Sequence, residues 1–312
     1  MSMNVPASFQ TKFNNNVKMR LQQRNDPLRA AMSEQHDTGA EKVKVEDIVG
    51  NNEGHEADDR HGDTKYSNTE FDGVWIPKPN ELYDADLIDN ADRLATTIDL
   101  QGATTKSLSG FIARARIRRR LEGFYGPIIS GKEGTTTTPF PAGQIVAVTE
   151  GGAAGAQKMN TKKLRVANKM LTQGYVGDDM DEGPERWMIL TADDNDALLT
   201  EVPATSADFK AAYGGVVVNG KVMKLLGWNF IHLELDNPLL KTIPDLATDG
   251  SGYRKNPFWV KEGVRVNWWQ ELRTMVDPLP QKRGSVQVFA GTTLAATRTQ
   301  PEMSGVILNQ KG

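Results

Sequence analysis

Apolar and polar positions alternate in two long stretches of the chain, and they recur with helical spacing in others. Residues 39 to 50, GAEKVKVEDIVG, place Val43 and Val45 on one side of an extended segment, and Tyr66 to Ile76, YSNTEFDGVWI, reads as a returning strand. The two predict a hairpin. Its connection, NNEGHEADDRHGDT, is acidic and has no large apolar side chain, so it is expected to project into solvent or across a neighbour. After Pro77 and Pro79, Leu82, Leu87, Ile88, Ala91 and Leu94 are spaced as a helix face. A longer helix is predicted over 104 to 125, TTKSLSGFIARARIRRRLEGFY, with Leu108, Phe111, Ile112, Ala115 and Leu121 near one side. Gly126 and Pro127 end it, and strand material follows at IIS and QIVAVT.

Further on, EGGAAGA marks a boundary, NTKKLRVANKMLTQ reads as a helix capped by Asn160 or Thr161, and WMILT as a short strand. ADDNDALLTE and SADFKAAY are expected helices. Val218 to Lys221 is an expected turn, and MKLLGWNFIHLEL an expected strand. The last third, NPFWVKEGVRVNWW, ELRTMVDPLP and SVQVFAGTTLAATR, alternates as long half-buried strands do. The mixture lacks the regular alternation of a doubly wound sheet and predicts an α+β fold.

Composition narrows the function classes. The 312 residues include no cysteine, which excludes disulfides, thiolate metal sites and a cysteine nucleophile. No apolar run approaches the ~18 residues of a membrane span, and the first residues do not read as a signal peptide, so an intracellular product with no membrane partner is expected. The net charge of −3 is unevenly spread. Lys12, Lys18, Arg20, Arg24 and Arg29 stand against the single acid Asp26 in the first thirty residues, with Val17, Met19, Leu21 and Leu28 as sparse anchors. Such an arm is expected to gain order on a neighbouring subunit.

Candidate chemistry is scarce. His55, Glu56, Asp58, Asp59, His61 and Asp63 lack the spacing of a zinc-binding helix, and DDMDEG and DDNDAL lack that of a calcium loop. No phosphate-binding glycine motif and no nucleophile elbow occurs, and His232 in FIHLELD is expected to be a strand residue. No catalytic, cofactor-binding or metal-binding residue is therefore assigned, and no cofactor is expected. The strongest electrostatic feature is RARIRRR. Arg114, Arg116, Arg118, Arg119 and Arg120 could contact DNA phosphates or pair with acids of neighbouring subunits, and both readings stand.

The segments NVPASFQTKFNNNVKMRLQQRNDPLRA, WIPKPNELYDADLIDNADRL, FPAGQIVAV, NGKVMKLLGWNFI, FWVKEGVRV and VFAGTTLAATRTQPE, in that order, resemble a tailed-bacteriophage major capsid protein family. The resemblance spans nearly the whole chain and implies the Hong Kong-ninety-seven-type phage capsid fold. It implies an N-terminal arm at 1–38 and an extended loop at 39–79. A peripheral domain at 80–154 and 281–299 would contain a spine helix at 104–125, and an axial domain would take 155–280 and 300–312. It further implies a non-enzymatic subunit that self-assembles as pentamers and hexamers into an icosahedral head around double-stranded DNA. The DNA-facing or intersubunit basic residues would be the five helix arginines with Lys12, Lys18, Arg20 and Arg24. Val43, Val45, Tyr66, Phe71 and Trp75 would carry the extended-loop contact between subunits. Many copies of itself, packaged DNA, a portal, a separate scaffolding protein and a decoration protein are the implied partners, and the virion, assembled in the host bacterial cytoplasm, is the implied location. An encapsulin-type compartment shell is the alternative.

Overall fold

The computed structural model describes residues 26–49, 55–56, 63–64, 66, 71–89, 100–152, 155–176, 183–201 and 216–311. Three sheets and one long helix organise them. The extended hairpin forms as its alternation predicts: β2 (Lys42–Val49) pairs antiparallel with β3 (Phe71–Pro77), and Val45 bulges between paired Lys44 and Glu46. β3 continues onto β5 (Ile128–Ser130), which pairs with β6 (Thr136–Thr138). The base of the hairpin is thereby built into a four-stranded sheet of its own subunit.

The expected helix after Pro79 is instead a strand, β4 (Leu82–Ile88). Leu82, Leu87 and Ile88 fit a helical spacing, but Tyr83-Asp84-Ala85-Asp86-Leu87 fits period two equally well. Pairing with seven residues of β14 (Ser285–Arg298) decides between them. Ala91 and Leu94 lie outside the described residues. In the second sheet β1 (Ser33–Gln35), β13 (Val264–Leu279), β14 and β4 lie in that order. β13 and β14 are paired from Val264↔Arg298 to Leu279↔Ser285, so the boundary expected at residue 280 would cut through a hairpin; β13 shares a sheet with β14.

The third sheet has seven strands in the order β7 (Ile145–Val146), β15 (Ser304–Asn309), β12 (Arg254–Val260), β8 (Arg186–Leu190), β11 (Trp228–His232), β10 (Lys221–Leu225) and β9 (Val216–Val218). QIVAVT yields only the two-residue β7, but it pairs with β15, so residues 145–146 belong with this sheet and not with the preceding segment. MKLLGWNFIHLEL is two strands rather than one. Leu226 (φ 55°) and Gly227 (φ 80°) turn the chain between Leu225 and Trp228, as Asn219 and Gly220 do between Val218 and Lys221. Two successive left-handed residues match the twist of a two-residue hairpin.

Helix α1 (Leu100–Tyr125) is the predicted long helix, four residues longer at its start. Helix α2 (Thr161–Gln173) is capped by the Asn160 side chain, which accepts from the Lys163 N–H at 2.9 Å. Helix α3 (Ala192–Thr200) begins with a capping box between Thr191 and Asp194. The helix expected at SADFKAAY lies outside the described residues.

The seven-stranded sheet is covered on both faces. Met188, Leu190, Phe258, Val260 and Ile307 meet Leu164, Ala167 and Leu171 of α2 and Leu198 of α3 on one face. Ile189, Ile231, Trp259 and Val306 meet Ile117, Leu121 and Phe124 of α1 on the other. That second core also takes in Val264, Val266, Trp268 and Leu294 of the β13–β14 sheet, so α1 joins two sheets in one continuous apolar cluster. Gly123 of α1 sits against the Ala296 carbonyl, with no room for a Cβ. No helix among the described residues is long and apolar enough to cross a membrane.

Candidate functional site

The five arginines of α1 are mostly engaged within the subunit. Arg120 is fully buried and paired with Asp26 and with Glu34 (2.6 Å). Its guanidinium lies 5.3 Å from the Trp268 ring centroid, and that of Arg116 lies 5.1 Å from it. Arg116 also donates to the Glu271 carbonyl at 2.8 Å. Burial lowers the Arg116 pKa, against the pull of Glu271 and Asp26. Arg119 donates to Glu122 (3.0 Å) and to the Asn80 carbonyl (3.1 Å), and Arg118 lies 3.5 Å from Glu122. Burial lowers the pKa of Arg114 too, with Asp84 opposing it. Arg120 therefore reaches neither DNA nor a neighbouring chain. A guanidinium at the centre of a core is retained only with local carboxylates, and both partners come from the root of the arm.

That root differs from the expected arm over its described part. Leu28 and Ala31 are fully buried and Met32 nearly so. The Trp259 indole donates to the Ala31 carbonyl at 2.8 Å, Asp37 and Asn267 exchange hydrogen bonds of 3.0 and 3.1 Å, and β1 pairs parallel with β13. Residues 26–38 are thus ordered on their own subunit, because Leu28 supplies a core anchor rather than a sparse one. Lys12, Lys18, Arg20 and Arg24 lie outside the described residues. Sequence reasoning assigned no role to Asp26, Glu34 and Trp268. The lone acid in a basic stretch was the available signal for Asp26, while nothing local marks Trp268 as the plate under two arginines.

In the extended hairpin, Val43 is buried within its own subunit, and the Trp75 indole donates to the Gly131 carbonyl at 2.7 Å while Lys44 lies 5.9 Å from its ring centroid. These two residues anchor the hairpin base within the subunit. Val45 is half-buried, Tyr66 is 87% exposed, and Phe71 is placed by its backbone pairing with Val49. Of the candidate acidic tip, His55, Glu56 and Asp63 are described; Asp58, Asp59 and His61 lie outside the described residues. Among the described residues no three His, Cys, Asp or Glu side chains gather as a metal site. His232 is a half-buried strand residue whose Nε2 lies 2.9 Å from the Val222 carbonyl, and burial lowers its pKa.

A buried polar network ties α2, α3 and the final strand together. Lys163 Nζ donates to the carbonyls of Gln157 (2.8 Å) and Leu308 (2.7 Å) and to Asn309 Oδ1 (2.9 Å). Burial lowers its pKa to about 8, with Asp194 and Glu150 pulling it back up. Arg254 bonds Thr191, Asp193 and Asp236, and Lys311 joins Asp236 from the chain end. Every ionised group here has partners inside the subunit, which is the chemistry of a structural tie.

The outer half of the second sheet is the uncovered region. β1 pairs β13 only at Arg265–Asn267, and among the described residues no strand covers the β13 edge beyond that point. Leu272 (54%), Val276 (57%) and Tyr83 (62%) are exposed there. An open, apolar-lined groove of about 570 Å³ runs between α1 and this strand, lined by Leu108, Ile112, Leu272, Val276 and Val288 and bounded at one end by Asp26 and Arg29.

Solved capsids share this arrangement over their whole length. The cyanophage Pam1 capsid superposes with a TM-score of 0.69 at 11% identity, covering 98% of this chain and 97% of that one. The head of Helicobacter pylori bacteriophage KHP40 gives 0.68 at 10% identity, with 99% of each chain covered. The capsid of Ralstonia phage GP4 gives 0.67 at 10% identity, with 100% and 98% covered. No curated protein sequence matches the chain significantly. The fold is that of a tailed-phage capsid subunit of the Hong Kong-ninety-seven type. A family model described as phage capsid protein matches residues 5–311, and the chain belongs to that family. It is a major capsid protein and a component of the virion, and nothing favours the encapsulin alternative.

Proposed function

We propose that many copies of the chain assemble as pentamers and hexamers into an icosahedral head that encloses double-stranded DNA. The observation that carries this reading is the outer half of the β13–β14 sheet, where among the described residues the β13 edge is left unpaired beside exposed Leu272 and Val276, with Tyr83 exposed on β4 at the opposite edge. Among the described residues no element of the subunit covers it, and an exposed strand edge carrying apolar side chains is a template for association. The peripheral region of this proposal comprises α1, β4, β13 and β14, and the axial region comprises the seven-stranded sheet with α2 and α3. The reading is structural rather than catalytic, with a portal and a scaffolding protein as further partners and assembly in the host cytoplasm.

Sedimentation of the purified full chain tests it, with particle contents measured in parallel. Capsomers or shells are expected. A single monomeric species across a range of salt concentrations overturns the reading. Leu272→Lys with Val276→Lys should keep the subunit folded and remove the assembled species, since both side chains are exposed in the isolated chain.

A further inference from the structure

Helix α2 carries Lys162, Lys163, Arg165 and Lys169 and no acid, in a chain where acids outnumber basic residues 40 to 37. Lys163 is consumed by the buried network. Lys162, Arg165 and Lys169 are exposed along one stripe, and Lys158 is exposed just before the helix begins. The opposite stripe, Leu164, Ala167 and Leu171, is fully buried against the seven-stranded sheet, so the cations stand on a fixed platform. Lys162 is 3.6 Å from Glu150; among the described residues Arg165 and Lys169 have no ion pair or hydrogen bond. The acids Asp178, Asp179, Asp181 and Glu182 follow in sequence, outside the described residues.

Helix stability gives no reason for this pattern. Asn160 caps the start and the Gly174 N–H closes the end on Met170 and Thr172. A cation in the first turn faces the positive end of the helix dipole, and like charges three and four residues apart repel. The stripe therefore weakens the helix slightly, and its use lies outside the helix.

We infer that the exposed stripe Lys162, Arg165 and Lys169 binds the phosphate backbone of duplex DNA without sequence preference; this rests on the reading that the shell encloses DNA. The geometry suits phosphates. From residue 162 to 169 the helix advances ~10.5 Å at 1.5 Å per residue, and one DNA strand presents about three phosphates over that length. Two of the three side chains are lysines, which subunit interfaces disfavour and which serve as point charges toward phosphate. Four of the five arginines of α1, which stand out in the sequence, are spent on Asp26, Glu34, Glu122 and Trp268, whereas α2 holds a stripe of exposed cations among the described residues.

The test is fluorescence anisotropy of a labelled duplex titrated with the full-length subunit at 50 and 200 mM salt. Three phosphate contacts give a log–log salt slope of about −2.7, a loss of about 40-fold in affinity over that range. Lys162→Gln/Arg165→Gln/Lys169→Gln should remove that component of the slope. Lys221→Gln/Lys224→Gln/Lys241→Gln, which removes the same charge elsewhere on the exposed surface, should leave it. An unchanged slope in the first variant, or equal loss in both, overturns the assignment. Sedimentation keeps the two proposals apart: shells that form normally with weakened DNA binding support the stripe as a DNA contact. Shells lost with DNA binding intact make it a subunit contact and overturn the inference.

Discussion

Arg120→Met is the most informative single change, because the sequence makes Arg120 one of five interchangeable surface cations and the structure makes it a buried clasp. The side chain is 0% exposed, and its partners Asp26 and Glu34 are 10% and 17% exposed at their side chains. Methionine fills much of the same volume but leaves two nearly buried carboxylates without their cation. Removing one member of a buried pair costs about 3–5 kcal/mol, mostly through the charge left behind. Glu34 keeps Arg29 at 3.5 Å, and Arg29 is half exposed, so the lower end applies, about 3 kcal/mol. In a chain of this size that corresponds to roughly 5 °C in Tm. Urea denaturation of the unassembled subunit followed by circular dichroism should show a lower midpoint at unchanged slope. Adding Asp26→Asn and Glu34→Gln to Arg120→Met should recover most of the loss, because the penalty lies in the stranded carboxylates. A single-variant loss below about 1 kcal/mol, the range of an exposed ion pair, would refute the clasp, as would the absence of recovery in the triple variant.

Three further outcomes are expected. The Lys163 pKa is about 8 in the fold against 10.5 ordinarily, so between those values the unfolded chain binds more protons; stability should rise with pH across this window, and Lys163→Met should abolish the rise in urea midpoints measured at pH 7, 9 and 10. Gly123→Ala should destabilise the subunit by about 1–3 kcal/mol in the same assay despite the helix preference of alanine, because its Cβ meets the Ala296 carbonyl. Joining Val49 to Phe71 by a two-residue turn should leave the subunit folded, since Trp75 and β5 hold the hairpin base, and yet prevent shells in sedimentation.

Periodicity made the long elements legible. The Leu108–Leu121 spacing gives α1, the Val43/Val45 alternation gives β2, and Asn160 marks the start of α2 because a short acceptor side chain satisfies a free N–H. It fails at Leu82–Ile88, where seven residues fit both periods and only the distant β14 selects the strand. It fails again at Leu226-Gly227, where a left-handed leucine is held by the pairing on either side, so no residue in MKLLGWNFIHLEL other than Gly227 advertises the turn. Charge was misread for a related reason. The RARIRRR run shows that cations are present, but the acids that absorb Arg120 lie 86 and 94 residues away in sequence. The quieter KKLRVANK run carries the exposed charge, since its apolar positions bury the opposite side of the helix.

The apolar cluster shared by α1, the seven-stranded sheet and the β13–β14 sheet has a mechanical consequence. Ile117, Leu121 and Phe124 share one cluster with residues of both sheets, and the chain crosses between the sheets through short links, Lys261–Gly263 from β12 to β13 and residues 299–303 from β14 to β15. Bending one sheet against the other would open close-packed volume, which protein interiors resist as organic crystals do. A subunit built this way has no internal hinge at that junction. In the shell proposed above, differences in curvature between five-fold and six-fold rings would then fall on the outer β13–β14 hairpin and on the β2–β3 hairpin, so load on the container wall would be carried as shear along those two ribbons while each packed body moves as a solid block.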